Sequence, residues 1–205
     1  MTDRETILAA VARNRPSGEH KLPAIPRFLQ PKEGGRLATF LRNFAAMGGS
    51  VVTGSPETDT IERVKEKLSG VVICSAVPEI AGNRRLDDVV QPRDLADVDV
   101  AIVRALLGVA ETGSVLFTED ELAVNTLAYL AQHLVVLLDP DDIVSGLQDA
   151  YDRPEFHRAD YAVFHTGPSA TGDIEGVLIL GAQGVRSLTI AFIPRSQPGR
   201  RGAAA

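Results

Sequence analysis

A single cysteine, Cys74, in 205 residues excludes an internal disulfide and any four-cysteine iron–sulfur or structural zinc site within the chain. It lies in the apolar run Val71-Val72-Ile73-Cys74, as either a reactive thiol at a strand end or a small buried hydrophobe. The four histidines, His20, His133, His157 and His165, lack metal-ligand spacing, so no metal site is expected. Tryptophan is absent and aromatics make up 5%, which leaves few side chains of the kind that anchor protein interfaces. Positive charge is short as well. A net charge of -6 argues against nucleic acid or an anionic membrane surface as the main partner. No apolar run approaches the roughly 20 residues a bilayer span needs. The N-terminus (Asp3, Arg4, Glu5 with Ile7, Leu8 and Val11) has no apolar signal core, so the expected location is the cytoplasm. Three motifs are missing too. There is no Gly-x-Gly-x-x-Gly after the first strand, no P-loop, and no Gly-x-Ser-x-Gly around Ser169. That excludes an ordinary Rossmann dinucleotide site, a P-loop nucleotide site and a nucleophile-elbow hydrolase.

The remaining pattern is that of an α/β domain. Residues 3–13 read as a helix. A proline-punctuated segment follows from Pro16 to Pro31, with Leu22, Ile25, Phe28 and Leu29 draped over this chain or over a partner subunit. Leu37, Phe40, Leu41, Phe44 and Met47 keep helical spacing up to the stop signal Gly48-Gly49. Short strands are expected at Ser50–Thr53, Val71–Cys74, Val98–Val103, Ser114–Thr118, Leu134–Leu138, Tyr161–Phe164 and Leu188–Ile193. Helices are expected at 57–68, about 119–131, and from Pro140, the last with Ile143, Val144 and Leu147 facing inward. Continuous apolar strands alternating with helices predict a three-layer, Rossmann-like, mainly parallel sheet covered on both faces. The predicted organisation is an N-terminal helix and arm over 1–33, one α/β domain over 34–194, and a tail over 195–205 holding Arg195, Arg200 and Arg201.

Three loops are dense in groups that bind or react. His165-Thr166-Gly167-Pro168-Ser169-Ala170-Thr171-Gly172-Asp173-Ile174-Glu175-Gly176 offers small residues, hydroxyls, free N–H groups and two carboxylates. Either it binds a ligand or it is a solvated turn that caps a following helix. His165 is the one histidine near it, and a packed loop histidine is the plainer account. In Gly108-Val109-Ala110-Glu111-Thr112-Gly113-Ser114, Glu111 acts as a nucleophile or base, orients a ligand hydroxyl, or simply accepts N–H bonds and fixes the turn. In Leu180-Gly181-Ala182-Gln183-Gly184-Val185-Arg186, Arg186 either clamps an anion or is a solvated turn residue.

Taken together, Ala110-Glu111-Thr112-Gly113-Ser114, Thr166-Gly167-Pro168-Ser169-x-Thr171-x-Asp173-Ile174-Glu175 and Gly181-x-x-Gly184-x-Arg186 resemble the LUD-domain family. Within it they are most similar to the lactate-utilisation C group, over residues 35 to 193. The resemblance implies a fold similar to the sugar-phosphate isomerase and CoA-transferase superfamily. It also implies a bacterial cytoplasmic subunit that, with iron–sulfur partner subunits, oxidises L-lactate to pyruvate. The implied cleft takes a small carboxylate through Thr112, Gly113, Ser114, Thr166, Gly167, Ser169, Thr171, Asp173, Glu175, Gln183, Gly184 and Arg186. The backbone N–H groups of 167–172 and the Arg186 charge would receive the anion. No cofactor is identified. Fold analogy supplies a second reading, a self-sufficient CoA-transferase-like enzyme with Glu111 as the catalytic carboxylate, and a pure scaffold is a third. Two positions depart from the family pattern. Gly172 stands where alanine is usual, and Gln183-Gly184-Val185 stands for His-Gly-Pro, which removes an imidazole.

Overall fold

The computed structural model describes residues 2–16, 18, 21, 23, 24, 26, 35–52 and 71–195. The helix expected at 57–68, most of the proline segment's apolar residues, and Arg200 and Arg201 lie outside them. Two longer helices, α1 (Asp3–Asn14) and α2 (Gly35–Ala46), precede the first strand. A central sheet comprises β1 (Ser50–Val52), β2 (Ile73–Ser75), β3 (Val100–Arg104), β6 (His133–Leu138) and β11 (Ser187–Phe192), in the order β1-β11-β6-β3-β2. Every pairing in it is parallel. The apolar runs predicted this, because a strand buried on both faces has no polar side to alternate with. Val100, Ile102, Val135 and Leu137 pack into one cluster, while Ala101, Val103, Leu134 and Val136 pack into another. With its flanking helices, the molecule has the three-layer α/β arrangement that the pattern predicts.

A second sheet was not foreseen. It holds β4 (Leu107–Val109), β5 (Ser114–Thr118), β7 (Ile143–Val144) and β8 (Ala162–His165), in the order β7-β4-β5-β8. β3 runs into β4 through Ala105 and Leu106, and β6 reaches β7 through one 3-10 turn, Pro140–Asp142. The parallel neighbours β3 and β6 therefore reappear as the parallel neighbours β4 and β7. Arg195 braces this corner. Its Nη2 donates to the carbonyls of Ala105 (2.8 Å) and Leu106 (3.2 Å), and its Nε donates to Asp142 (2.8 Å). Sequence grouped Arg195 with a frayed tail, yet it is fastened to both sheets' connections.

Three further expectations change. The helix at 119–131 is two single turns, Glu119–Leu122 and Leu127–Leu130. Ala123 turns left-handed (φ 57°), and the poor helix formers Val124, Asn125 and Thr126 do not restart the spiral at once. After Pro140 the β-branched pair Ile143-Val144 joins the sheet beside β4 rather than lying on a helix, which begins only at Leu147–Tyr151. The glycine-rich loop after β8 caps no helix. Instead β9 (Ala170–Thr171) pairs antiparallel with β10 (Ile179–Leu180), in a hairpin that turns at Glu175 and Gly176, both with positive φ. β8 itself is half-buried rather than buried.

α2 sits where the two sheets meet. Phe40 and Phe44 stack at 5.6 Å, Phe40 meets Phe192 of β11 edge-on, and Phe40 also closes over Gly108 of β4. The helix stops as the sequence indicates. The Gly49 N–H donates to the Phe44 carbonyl and the Gly48 N–H to that of Ala45, with Gly48 left-handed, which is a Schellman ending. Two loops then press on this last turn. A Cβ at Gly113 would lie 2.4 Å from the Phe44 nitrogen, and one at Gly167 would lie 2.0 Å from the Met47 oxygen. Both glycines have positive φ. Gly113→Ala and Gly167→Ala are each expected to cost roughly 3 kcal/mol, from left-handed strain plus overpacking against backbone that cannot yield. At Gly172 nothing lies within 4 Å of an added Cβ, so Gly172→Ala should be neutral. Urea unfolding of the three variants checks this contrast.

Candidate functional site

Between α2, the second sheet and the helix Leu147–Tyr151 lies a hollow of about 590 Å³. Glu111, Thr112, Ser114 and Thr166 line it with Asn43, Ala46, Met47, Leu147, Tyr151 and Phe164. Its polar wall is a row of hydroxyls. Thr112 Oγ1 and Ser114 Oγ are 2.7 Å apart, and Ser114 Oγ and Thr166 Oγ1 are 2.6 Å apart. Ser114 is buried at the start of β5, and Thr166 directly follows β8, its neighbour in the sheet. The row therefore joins two of the three loops singled out in the sequence. Asn43 holds the turn before it, donating its amide to the carbonyls of Ala110 and Glu111, both at 2.8 Å.

Glu111 accepts the Leu147 N–H at 3.1 Å, which is the turn-fixing role weighed for it, while its exposed side chain also borders the hollow. A smaller hollow of about 250 Å³ lies where the His165–Gly176 and Leu180–Arg186 loops meet. Its lining includes Thr166, Gly167, Ser169, Gln183 and Gly184. Backbone bonds tie these loops together: the Ser169 N–H donates to the Val185 carbonyl and the Gly181 N–H to the Ser169 carbonyl, both at 2.9 Å. The Ser169 N–H is thus committed and cannot receive an anion. Thr166 borders both hollows.

The other expected residues lie apart. Arg186 borders neither hollow. It is exposed, packs along Gly181, and gives its N–H to the Gln132 carbonyl. Thr171, Asp173 and Glu175 belong to the β9–β10 hairpin, which carries Asp173 and Glu175 out to solvent. The three loops therefore form a chain of neighbours rather than one basin. Cys74 is buried and its thiol is pushed up by that burial, so it acts as a packed hydrophobe. Among the described residues no metal-ligand group of three or more His, Cys, Asp or Glu occurs, and no helix is long and apolar enough to cross a membrane.

One feature escaped the sequence reading. Arg104 and Arg195, with Glu79, Asp120 and Glu121, line a further hollow of about 600 Å³ beyond the carboxyl ends of β2 and β3. An arginine closing an apolar strand was the available signal. Its charges are largely spent internally, Arg104 on Glu79 and the Ile193 carbonyl, and Arg195 on Asp142. His165 is the packed loop histidine that the sequence suggested. It lines the smaller hollow together with Gln183. Its ring packs on Phe117 (5.3 Å) and Tyr129 (5.0 Å), and its Nε2 is buried without a partner among the described residues. Tyr129 bonds Tyr161 through their hydroxyls, and burial, followed by that bond, raises its pKa.

Comparison with known proteins follows the same lines. The family model described as the LUD domain matches residues 55–193. The fold is similar to the crystal structure of a DUF162 family protein from Deinococcus radiodurans, with a TM-score of 0.56 and 12% identity. That likeness covers 77% of this chain and 95% of the other, and it bears on the fold alone. No curated protein matches the chain.

Burial lowers the His165 pKa to about 4. An unfolded imidazole titrates near 6.5, so between those values the unfolded state binds more protons than the folded one. Stability should be unaffected above about pH 6.5 and should fall by roughly 3 kcal/mol as pH drops to about 4. His165→Phe should remove that component. Unfolding curves of both proteins at about pH 7.5 and about pH 4.5 measure it.

Proposed function

Because the chain belongs to the LUD-domain family, whose domain is associated with lactate utilisation, we propose that it is the C-type subunit of a bacterial, cytoplasmic L-lactate utilisation complex. It binds the small acid, and iron–sulfur partner subunits receive the electrons. Oxidising a 2-hydroxy acid to a 2-oxo acid releases electrons in pairs. A chain whose one cysteine is buried brings no thiolate set for a cluster of its own.

The observation that carries the reading is the Ser114–Thr166 hydroxyl bond, which makes one polar wall from the Glu-Thr-Gly-Ser and Thr-Gly-Pro-Ser segments. The smaller hollow suits a three-carbon acid, with the Thr166 and Ser169 hydroxyls and the Gln183 amide as hydrogen-bonding groups. Gly167 and Gly184 let a ligand approach the backbone there. Thr112, Gly113 and Ser114 set the wall behind Thr166, and Glu111 positions that wall through Leu147. Arg186 adds positive potential from outside the hollow rather than a direct contact. Thr171, Asp173 and Glu175 have no place against the acid in this arrangement.

Calorimetry on the full chain is expected to show weak binding of L-lactate or pyruvate and no turnover without partner subunits. Thr166→Val and Ser169→Ala should each weaken binding about 10-fold, the scale of one hydrogen bond to a charged group. Arg186→Ala should weaken it only about 2-fold, as a screened charge does. A large loss at Arg186 with none at Thr166 would move the acid to another surface.

A further inference from the structure

The larger hollow has far more room than a three-carbon acid fills. Its volume of about 590 Å³ lies within the range of roughly 300–1,000 Å³ typical of pockets for ring-sized organic ligands. Its lining is also wrong for an acid. Among the described residues no lysine, arginine or histidine borders it, and the one charged side chain there is the carboxylate of Glu111. A phosphate or carboxylate entering there would meet a like charge and no counter-charge.

What the lining does offer is apolar area and one hydrogen-bonding strip. Met47 and Tyr151 stand at 50% and 45% exposure on its rim, apolar surface that the described residues leave uncovered. Phe164 sets its ring edge-on to Tyr151 at 5.8 Å, and Leu147 lies between the aromatic wall and Glu111. The strip is the row Thr112–Ser114–Thr166. Three hydroxyls carry three hydrogens, and the two bonds within the row use two of them. One O–H is left for an outside acceptor, since no further partner for these hydroxyls occurs among the described residues. Asn43 cannot supply a competing donor, because its amide hydrogens already go to Ala110 and Glu111.

We propose that the larger hollow is a binding site for an uncharged planar ring bearing a carbonyl, of the kind shared by quinones and the flavin isoalloxazine. The carbonyl accepts the O–H of Thr112, the end of the row that does not border the smaller hollow, and the ring face lies on Met47, Leu147 and Tyr151. Thr166 belongs to both hollows, so such a ring sits one side chain away from the acid assigned to the smaller one. This goes beyond the preceding reading and does not depend on the identity of the acid.

Two uncharged probes separate the sources of that chemistry: riboflavin, followed by quenching of its fluorescence, and menadione, followed by quenching of the protein's tyrosines. Both are titrated into the full chain beside L-lactate calorimetry. At least one ring is expected to bind, and Tyr151→Ser and Thr112→Val should each weaken it about 10-fold. Thr112→Val keeps the side-chain shape, so it carries the test even where Tyr151→Ser unfolds the protein. Absence of binding by either ring, or equal binding in the wild type and Thr112→Val, overturns the proposal. Lactate binding without ring binding removes this inference and spares the acid site. Ring binding without lactate binding does the reverse.

Discussion

The site depends on the closeness with which two loops approach the last turn of α2. At Gly113 and Gly167 the backbone comes so near the Phe44 nitrogen and the Met47 oxygen that no side-chain carbon fits. Left-handed backbone at both positions makes the approach possible, and only glycine adopts it without strain. Once α2 is held by its phenylalanines at the junction of the two sheets, both loops have a common backstop. Ser114 and Thr166 are then brought within 2.6 Å of each other, although 52 residues separate them along the chain.

From that contact the chemistry of the region follows. The joined loops present hydroxyls, amides and backbone groups, with Glu111 as the one charge among the described residues that border either hollow. Such a surface orients small polar ligands by hydrogen bonds and does little to attract anions from a distance. The strongest charge pairs lie elsewhere, at the carboxyl ends of the central strands. There Arg104 ties the ends of the central strands together through Glu79 and the Ile193 carbonyl, and Arg195 braces the connections between the two sheets. Scaffold and site thus use different forces. Ion pairs and apolar packing set the frame, and a short uncharged hydrogen-bonded row faces the ligand.

Much of this was legible in the chain. The continuous apolar runs at β3, β5, β6 and β11 announced buried strands, and Gly48-Gly49 announced the end of α2. The motif residues of the first two loops do meet. What stayed hidden was set by distant contacts. Leu107-Gly108-Val109 reads as a turn because glycine usually marks one, yet Gly108 is a close-packing glycine beneath Phe40 and Leu138 in a buried strand. Its partner β5 was expected as a strand of a single sheet, and its other partner, β7, is only two residues long and too far along the chain to signal a second one. Ile174, Val177 and Leu178 are apolar, yet the hairpin carries them into solvent. Arg186 lies three residues from Gln183, and spacing alone could not tell that one borders the hollow and the other does not.

The central claim is that the last turn of α2, the 110–115 loop and the 165–169 loop act as one ligand-bearing unit. Hydrogen–deuterium exchange of the full chain, with and without saturating L-lactate, tests it most directly. The account predicts that amides in 43–48, 110–115 and 165–169 slow together when the acid binds, while the 172–178 hairpin is unchanged. Protection confined to the hairpin or to the Arg104–Arg195 corner, with those three segments unaffected, would contradict it.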